Sequence, residues 1–258
     1  MKKREGDLLK LYDLTQRIGI STPPWPTFKP FEMKYFKRLS TERVNGQIIK
    51  TPNHIGTHLD SERHFWTAGR DIASIPLEDL YGEGVVVDLS DELNDYDIYT
   101  SEMIENKVEV KENDILIINT GYHRYSWDQP EADEERYFMK HPGPNMEFAH
   151  WAIEKKIKWI GVDCGAADHP MNTVCRTLRP DFAKEAEKHL GKPLDEVFHH
   201  KDSRQFMHTK LFPEGIIHAE NLGGEIDKLS NRRLAIGIFP WKGIDMEACI
   251  SRCVAFEW

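Results

Sequence analysis

Apolar and polar positions follow two different periods in successive blocks of the chain. Runs rich in β-branched residues recur at 84–89, 115–120, 158–162, 215–218, 234–239 and 250–256, and each predicts a strand. Several of these, such as 115–118, are unbroken apolar runs. A strand with one wet face alternates, so an unbroken run predicts strands covered on both faces, as in a sheet flanked by helices. Helical spacing appears between them. Residues 146–155 place Phe148, Trp151 and Ala152 on one stripe. Residues 181–190 follow Pro180 and stop before Gly191, the residue types that open and close helices. The predicted fold class is therefore α/β. No internal repeat and no Gly/Ser-rich linker divides the sequence, so one domain over 1–258 is expected. Polar tracts at 128–136 and 172–205 read as excursions from the core, and the second carries its own helix, which makes 171–207 a candidate lid.

Composition narrows the class of partner. With 258 residues and 40% apolar content the chain can bury a sizeable core. Forty-three acids against 34 bases give a net charge of −9, a poor footprint for nucleic acid. Ten of the acids fall within 88–114 and predict a solvated face. No apolar run approaches the roughly 20 residues of a bilayer span. The opening Lys2, Lys3 and Arg4 lead into Glu5 and Asp7 rather than an apolar stretch, so neither membrane nor secretion is expected, and the location predicted is cytoplasmic. Four cysteines without a Cys-x-x-Cys pair predict reduced, buried thiols, with Cys249 and Cys253 in the core. None sits in a nucleophile motif, which weighs against a Cys/His enzyme.

The chemistry concentrates in one window, where His54, His58, Asp60 and His64 are spaced His-x3-His-x-Asp-x3-His. With 12 histidines in the chain, eleven residues should hold about half of one by chance. Pro52, Gly56 and Thr57 oppose a helix, so a loop running into a strand is predicted. Alternation then points His58 and Asp60 to the same side, and Gly56 lets the backbone fold so that His54 reaches the same point. Imidazoles with a carboxylate suit Zn, Mn or Fe, and a carboxylate can bridge two ions. Burying four such groups with neither a metal nor each other would cost several kcal/mol.

The run His-x-Gly-Thr-His-x-Asp-x-x-x-His-Phe resembles the signature of the cyclase family of metal-dependent hydrolases, which includes bacterial kynurenine formamidases and isatin hydrolases. Further matches come in the family's order: Tyr12-Asp13-Leu14-Thr15, Pro23-Pro24-Trp25-Pro26, Ile118-Asn119-Thr120-Gly121, His141-Pro142-Gly143, Gly161-Val162-Asp163, His208-Thr209 and Glu220-Asn221-Leu222. The resemblance implies a swivelling β/β/α domain, with a mixed sheet flanked by helices, in homodimers or homotetramers. It implies that His54, His58 and Asp60 bind a first ion, and that Asp60, His208 and Glu220 bind a second. His64 would transfer protons and Trp25 would line the substrate pocket, with Trp66, Tyr122 and Trp127 as weaker candidates. The implied activity is hydrolysis of a C–N bond in a small aryl amide, such as N-formylkynurenine in tryptophan catabolism, by water activated on one or two Zn or Mn ions. An isatin-type cyclic-amide hydrolase and a catalytically silent metal- or ligand-binding member are the alternatives. One departure stands out: Glu62 occupies a position where the family usually has Pro. It is expected to alter substrate choice, to bind a cationic group of the substrate, or to pair with Arg63 in solvent. His169, His199 and His200 are expected to be surface or lid residues.

Overall fold

The computed structural model describes residues 9–198 and 204–258. The N-terminal charged residues Lys2, Lys3, Arg4, Glu5 and Asp7, and His199 and His200, lie outside the described residues. Twelve strands occur among the described residues. These are β1 (Lys10–Asp13), β2 (Glu32–Lys37), β3 (Gly46–Lys50), β4 (His58–Asp60), β5 (Tyr81–Asp88), β6 (Ile98–Tyr99), β7 (Ile115–Asn119), β8 (Gly143–Pro144), β9 (Trp159–Val162), β10 (Ile217–Glu220), β11 (Arg232–Pro240) and β12 (Ala248–Glu257). The main sheet runs β1-β12-β11-β5-β7-β9-β10-β4, and β4 pairs back onto β12, closing a barrel. Strands β5, β7, β9 and β10 are mutually parallel, whereas β4 and β11 run against both neighbours.

Closure explains the unbroken apolar runs. Val85, Val87, Leu116, Ile118, Ile160 and Val162 point outward to the helices, while Val86, Ile115, Ile117 and Trp159 point into the barrel. Both faces are dry, as the runs predict, but the longer helices cover only the outer one, and the inner one receives only short turns through Ile72, Leu80, Ile226 and Leu229. The inner face packs on itself around Tyr12, Leu14, Ile236, Ile238 and Cys253. The expected α/β class, with a mixed sheet flanked by helices, is the architecture observed.

Helix Met146–Glu154 begins where the Asn145 side chain accepts from the Phe148 amide, and it buries Phe148, Ala149, Trp151 and Ala152. Helix Pro180–Leu190 ends on Gly191 at φ 67°, a left-handed conformation that glycine adopts without steric cost. The 171–207 segment is anchored to the outer core through Met171, Cys175, Phe182, Ala186, Leu194 and Phe198. Among the described residues no helix is long and apolar enough to cross a membrane. All four cysteines are free and buried, and Cys249 and Cys253 face the barrel interior from β12. The acidic face expected at 88–114 is solvated only in part. Its last member, Asp114, is buried and takes a two-pronged contact from Arg233, at 2.6 Å and 2.8 Å.

Beyond β7 and β9 a second polar cluster ties the barrel together. Buried Asp163 accepts from the Thr120 amide and hydroxyl at 2.8 Å and 2.6 Å. His123 lies between two carboxylates, with Nδ1 2.9 Å from Asp163 and Nε2 3.1 Å from Asp227. Burial alone would lower the pKa of His123, but the two carboxylates outweigh it and raise it to about 10. Burial would likewise raise the Asp163 carboxyl, yet His123 and Thr120 hold it below its usual range. A raised histidine contributes stability that is full below its unfolded value near 6.5 and is lost as pH climbs toward 10. The lowered carboxyl contributes above its unfolded value of about 4 and is lost in acid. His123→Ala should therefore cost about 3 kcal/mol at pH 6, because Asp163 stays buried without its cation. Thermal unfolding should also show that wild type loses stability between pH 7 and 10 more steeply than the variant. Equal melting temperatures at pH 6 would contradict this account.

Candidate metal centre

Strand β4 alternates, so Leu59 enters the barrel core while His58 and Asp60 turn to the other face. Strand β10 does the same: Ile217 and Ala219 point inward and leave His218 and Glu220 outside. The antiparallel register sets His218 opposite Asp60 and Glu220 opposite His58. Four ligand-type side chains thus share one buried face of two neighbouring strands.

Three further histidines arrive from loops and a helix. Gly56, at φ +56°, turns the chain so that His54 folds back with Nδ1 3.0 Å from Asp60 Oδ1, and His54 Nε2 donates to Glu247 at 2.6 Å. His64, on the turn Glu62–His64, stacks beside His54 with ring centroids 4.1 Å apart. His208, on helix Phe206–Leu211, donates from Nδ1 to Asp168 at 2.6 Å. That bond aims its Nε2 inward, 3.5 Å from both Asp60 Oδ2 and Glu220 Oε1. His58 is oriented likewise, with Nδ1 2.9 Å from the Gly56 carbonyl, which turns Nε2 toward Asp60 Oδ1 at 3.3 Å.

The electrostatics are those of a site built around positive charge. Burial pushes the Asp60 carboxyl up, but His54, His58, His64 and His208 together hold it well below its usual range. Burial opposes the protonation of His54 and His208, and their carboxylate neighbours nevertheless raise each to about 10. Glu220 is raised by burial and by the Asp60 charge. His64 is lowered to about 4 because burial, with His54 and His208, outweighs the pull of Asp60.

The donor set fits a divalent ion. His58 Nε2 and both Asp60 oxygens are buried without an aligned hydrogen bond among the described residues, although paired buried polar groups are the rule. Donor atoms lie within 4.8 Å of one another in three groups: His58, Asp60 and Glu220; His54, Asp60 and His64; and His208, His218 and Glu220. The structure thus gathers the five sequence-predicted ligands, and it adds three residues the motif did not show. His218 had a signal, since His218-Ala219-Glu220 spaces two ligand types on one strand face, but the strand read at 215–218 stops short of Glu220. Asp168 and Glu247 have no local signal, because each meets its histidine only through the fold.

Two expectations need correction. Glu62 neither joins the ligand cluster nor pairs with Arg63. It is buried against Arg70, at 2.7 Å from Nε and 2.6 Å from Nη2, while Arg63 reaches Asp245 at 2.8 Å. Consecutive residues in a turn point apart, which is why the sequence neighbour is the wrong partner. His169 is fully buried rather than superficial. Its Nε2 contacts the Tyr96 carbonyl at 3.1 Å, and its Nδ1 accepts from the Met171 amide at 3.1 Å.

A cavity of about 300 Å³ opens onto the cluster. Its apolar wall includes Trp25, Phe28, Phe65, Phe138 and Val174, and Gln205 and Asn221 supply polar edges. Trp25 meets Phe138 edge-on at 6.2 Å. The other three aromatic candidates lie off this wall: Tyr122 donates to Asp95, Trp127 donates to the Arg17 carbonyl, and Trp66 is exposed. The 171–207 segment meets the cavity at Val174 and Gln205.

Comparison with known proteins agrees with this geometry. The Cyclase family model matches residues 12–169, a span that holds His54, His58, Asp60 and His64. Cyclase-like protein 1 of Arabidopsis thaliana is 30% identical over 169 residues, covering 60% of this chain and 61% of that protein. A kynurenine formamidase of Bacillus cereus is 27% identical over 158 residues, covering 60% and 69%. The chain therefore spans about three fifths of the length of the plant relative. Among solved structures, isatin hydrolase A from Ralstonia solanacearum shares the fold at a TM-score of 0.77 and 18% identity, over 97% of this chain and 92% of that one.

Proposed function

This chain belongs to the Cyclase family, and from that premise we propose that it is a metal-dependent hydrolase of the carbon–nitrogen bond in a small aryl amide, of the kynurenine formamidase kind. The observation that carries the reading is the buried convergence of His58 Nε2 with two Asp60 oxygens that no aligned hydrogen bond satisfies. His58, Asp60 and Glu220 would hold one divalent ion, with His54 and His208 completing a site for one or two, Zn or Mn. When bound, such an ion supplies Lewis acidity, polarising a carbonyl and acidifying water.

The remaining steps fall to side chains. Trp25, Phe28, Phe65 and Phe138 hold an aromatic ring against an apolar wall. Neutral His64, with Nδ1 3.7 Å from a Glu247 oxygen, takes the proton of the attacking water and returns it to the departing nitrogen. Without that return an amine leaves poorly. The free thiols suit the reducing cytoplasm in which we place the protein.

We also assign it a homodimeric or homotetrameric state. The β2–β3 ribbon exposes Tyr35, Phe36, Ile48 and Ile49, and a two-stranded ribbon is marginal on its own in water. Ile48→Glu with Ile49→Glu should shift the mass by light scattering to that of a monomer, and an unchanged mass would contradict the assignment.

The function itself is tested by counting ions per chain before and after reconstitution with Zn or Mn, and by comparing turnover of N-formylkynurenine with that of isatin. One or two ions and faster turnover of the open formamide are expected. No ion under any condition would overturn the reading, and preference for isatin would replace it with cyclic-amide hydrolysis.

A further inference from the structure

His218 has no part in the chemistry described so far, and its surroundings are unusual for a histidine. Its side chain lies on the cluster's face of β10, opposite Asp60, and is closed off from solvent at 0% accessibility. Neither ring nitrogen has a hydrogen-bond partner among the described residues. An imidazole buried in this way forfeits its hydration at both nitrogens, and a leucine of similar bulk would fill the place at lower cost. Its ring lies perpendicular to that of His208, with centroids 4.9 Å apart, and against Phe212 at 4.8 Å. The donor atoms of His218, His208 and Glu220 come within 4.8 Å of one another. Glu220 is shared with the His58–Asp60 group, so its carboxylate lies between the two sets.

We infer that His218 is a metal ligand, giving the second ion position a His208–His218–Glu220 set; this rests on the metal-centre reading above. The chemical consequence is selectivity. Asp60, His208 and Glu220 alone would offer one nitrogen and two carboxylates, a set that accepts hard ions such as Mg and Mn. His208, His218 and Glu220 instead offer two nitrogens to one carboxylate, which favours Zn, Co or Ni over Mg and Ca. His208 is already turned toward that point by Asp168, so the position needs no rearrangement of its helix.

The test is zinc titration of the whole protein against a chromophoric chelator, with His218→Leu and His218→Gln beside wild type. Circular dichroism selects the variants that fold, and the glutamine variant keeps a polar group of similar reach in case the leucine one does not. Wild type should hold two zinc ions, and the substitutions should weaken the second by at least about 10-fold while leaving the first unchanged. The cobalt-loaded wild type should also lose visible band intensity on substitution. Zinc binding of wild-type strength in a folded variant would overturn the role of His218 and leave the metal centre standing. Absence of zinc binding in wild type itself would overturn both.

Discussion

Asp60→Asn is expected to strip the protein of stoichiometric metal and of turnover together. Asp60 is wholly buried, belongs to two of the three ligand groups, and has both oxygens free of aligned hydrogen bonds. An amide matches its shape but removes the charge that offsets the cost of taking a dication out of water. Loss of one partner from a buried ion pair costs about 3–5 kcal/mol, which at 1.4 kcal/mol per decade is a fall in affinity of roughly 10²–10³·⁵. The four histidines that hold the Asp60 carboxyl well below its usual range lose that counter-charge in the variant, so circular dichroism of the same preparation must show that it is folded. Elemental analysis of dialysed protein checks this directly. Wild-type metal content in the variant would remove Asp60 from the ligand set.

The second large effect belongs to His64. Replacing it with alanine should lower turnover by roughly 10²–10⁴, the usual contribution of a positioned acid–base group, while zinc content stays at the wild-type level because His58, Asp60 and Glu220 are untouched. Metal count and rate measured on the same preparation separate two roles. A variant that keeps its metal and loses its rate has lost a proton carrier. One that loses both shows that His64 is a ligand in the group with His54 and Asp60, and the proton-transfer role fails.

The parts of the site that could be read in the sequence are those whose cause is local. Eleven residues carry His54, His58, Asp60 and His64, and both alternation and the glycine turn act over that span. The unbroken runs of β5 and β7 reveal their burial because each residue reports its own face. What escaped the reading depends on distant pairing. Closure of the sheet is set by β4 against β12, which no local pattern encodes, so the inner face was expected to meet helices. Glu62 finds Arg70 through a turn, and His169 is buried despite its polarity because the Tyr96 carbonyl waits for it. Asp168 and Glu247 could be assigned only after the fold had brought them to His208 and His54.

Strand β4 is only three residues long, yet it pairs with β10 on one side and β12 on the other. Both partners lie in the last fifth of the chain, so on the ribosome the His54–His64 motif emerges long before either strand that will hold it. Loop closure over such a distance is slow to begin, since its entropy is lost before any contact rewards it. The metal-binding face therefore cannot be complete until the last fifth of the chain has been made, and a nascent chain carries the His54–His64 ligands before it has a geometry with which to choose among ions.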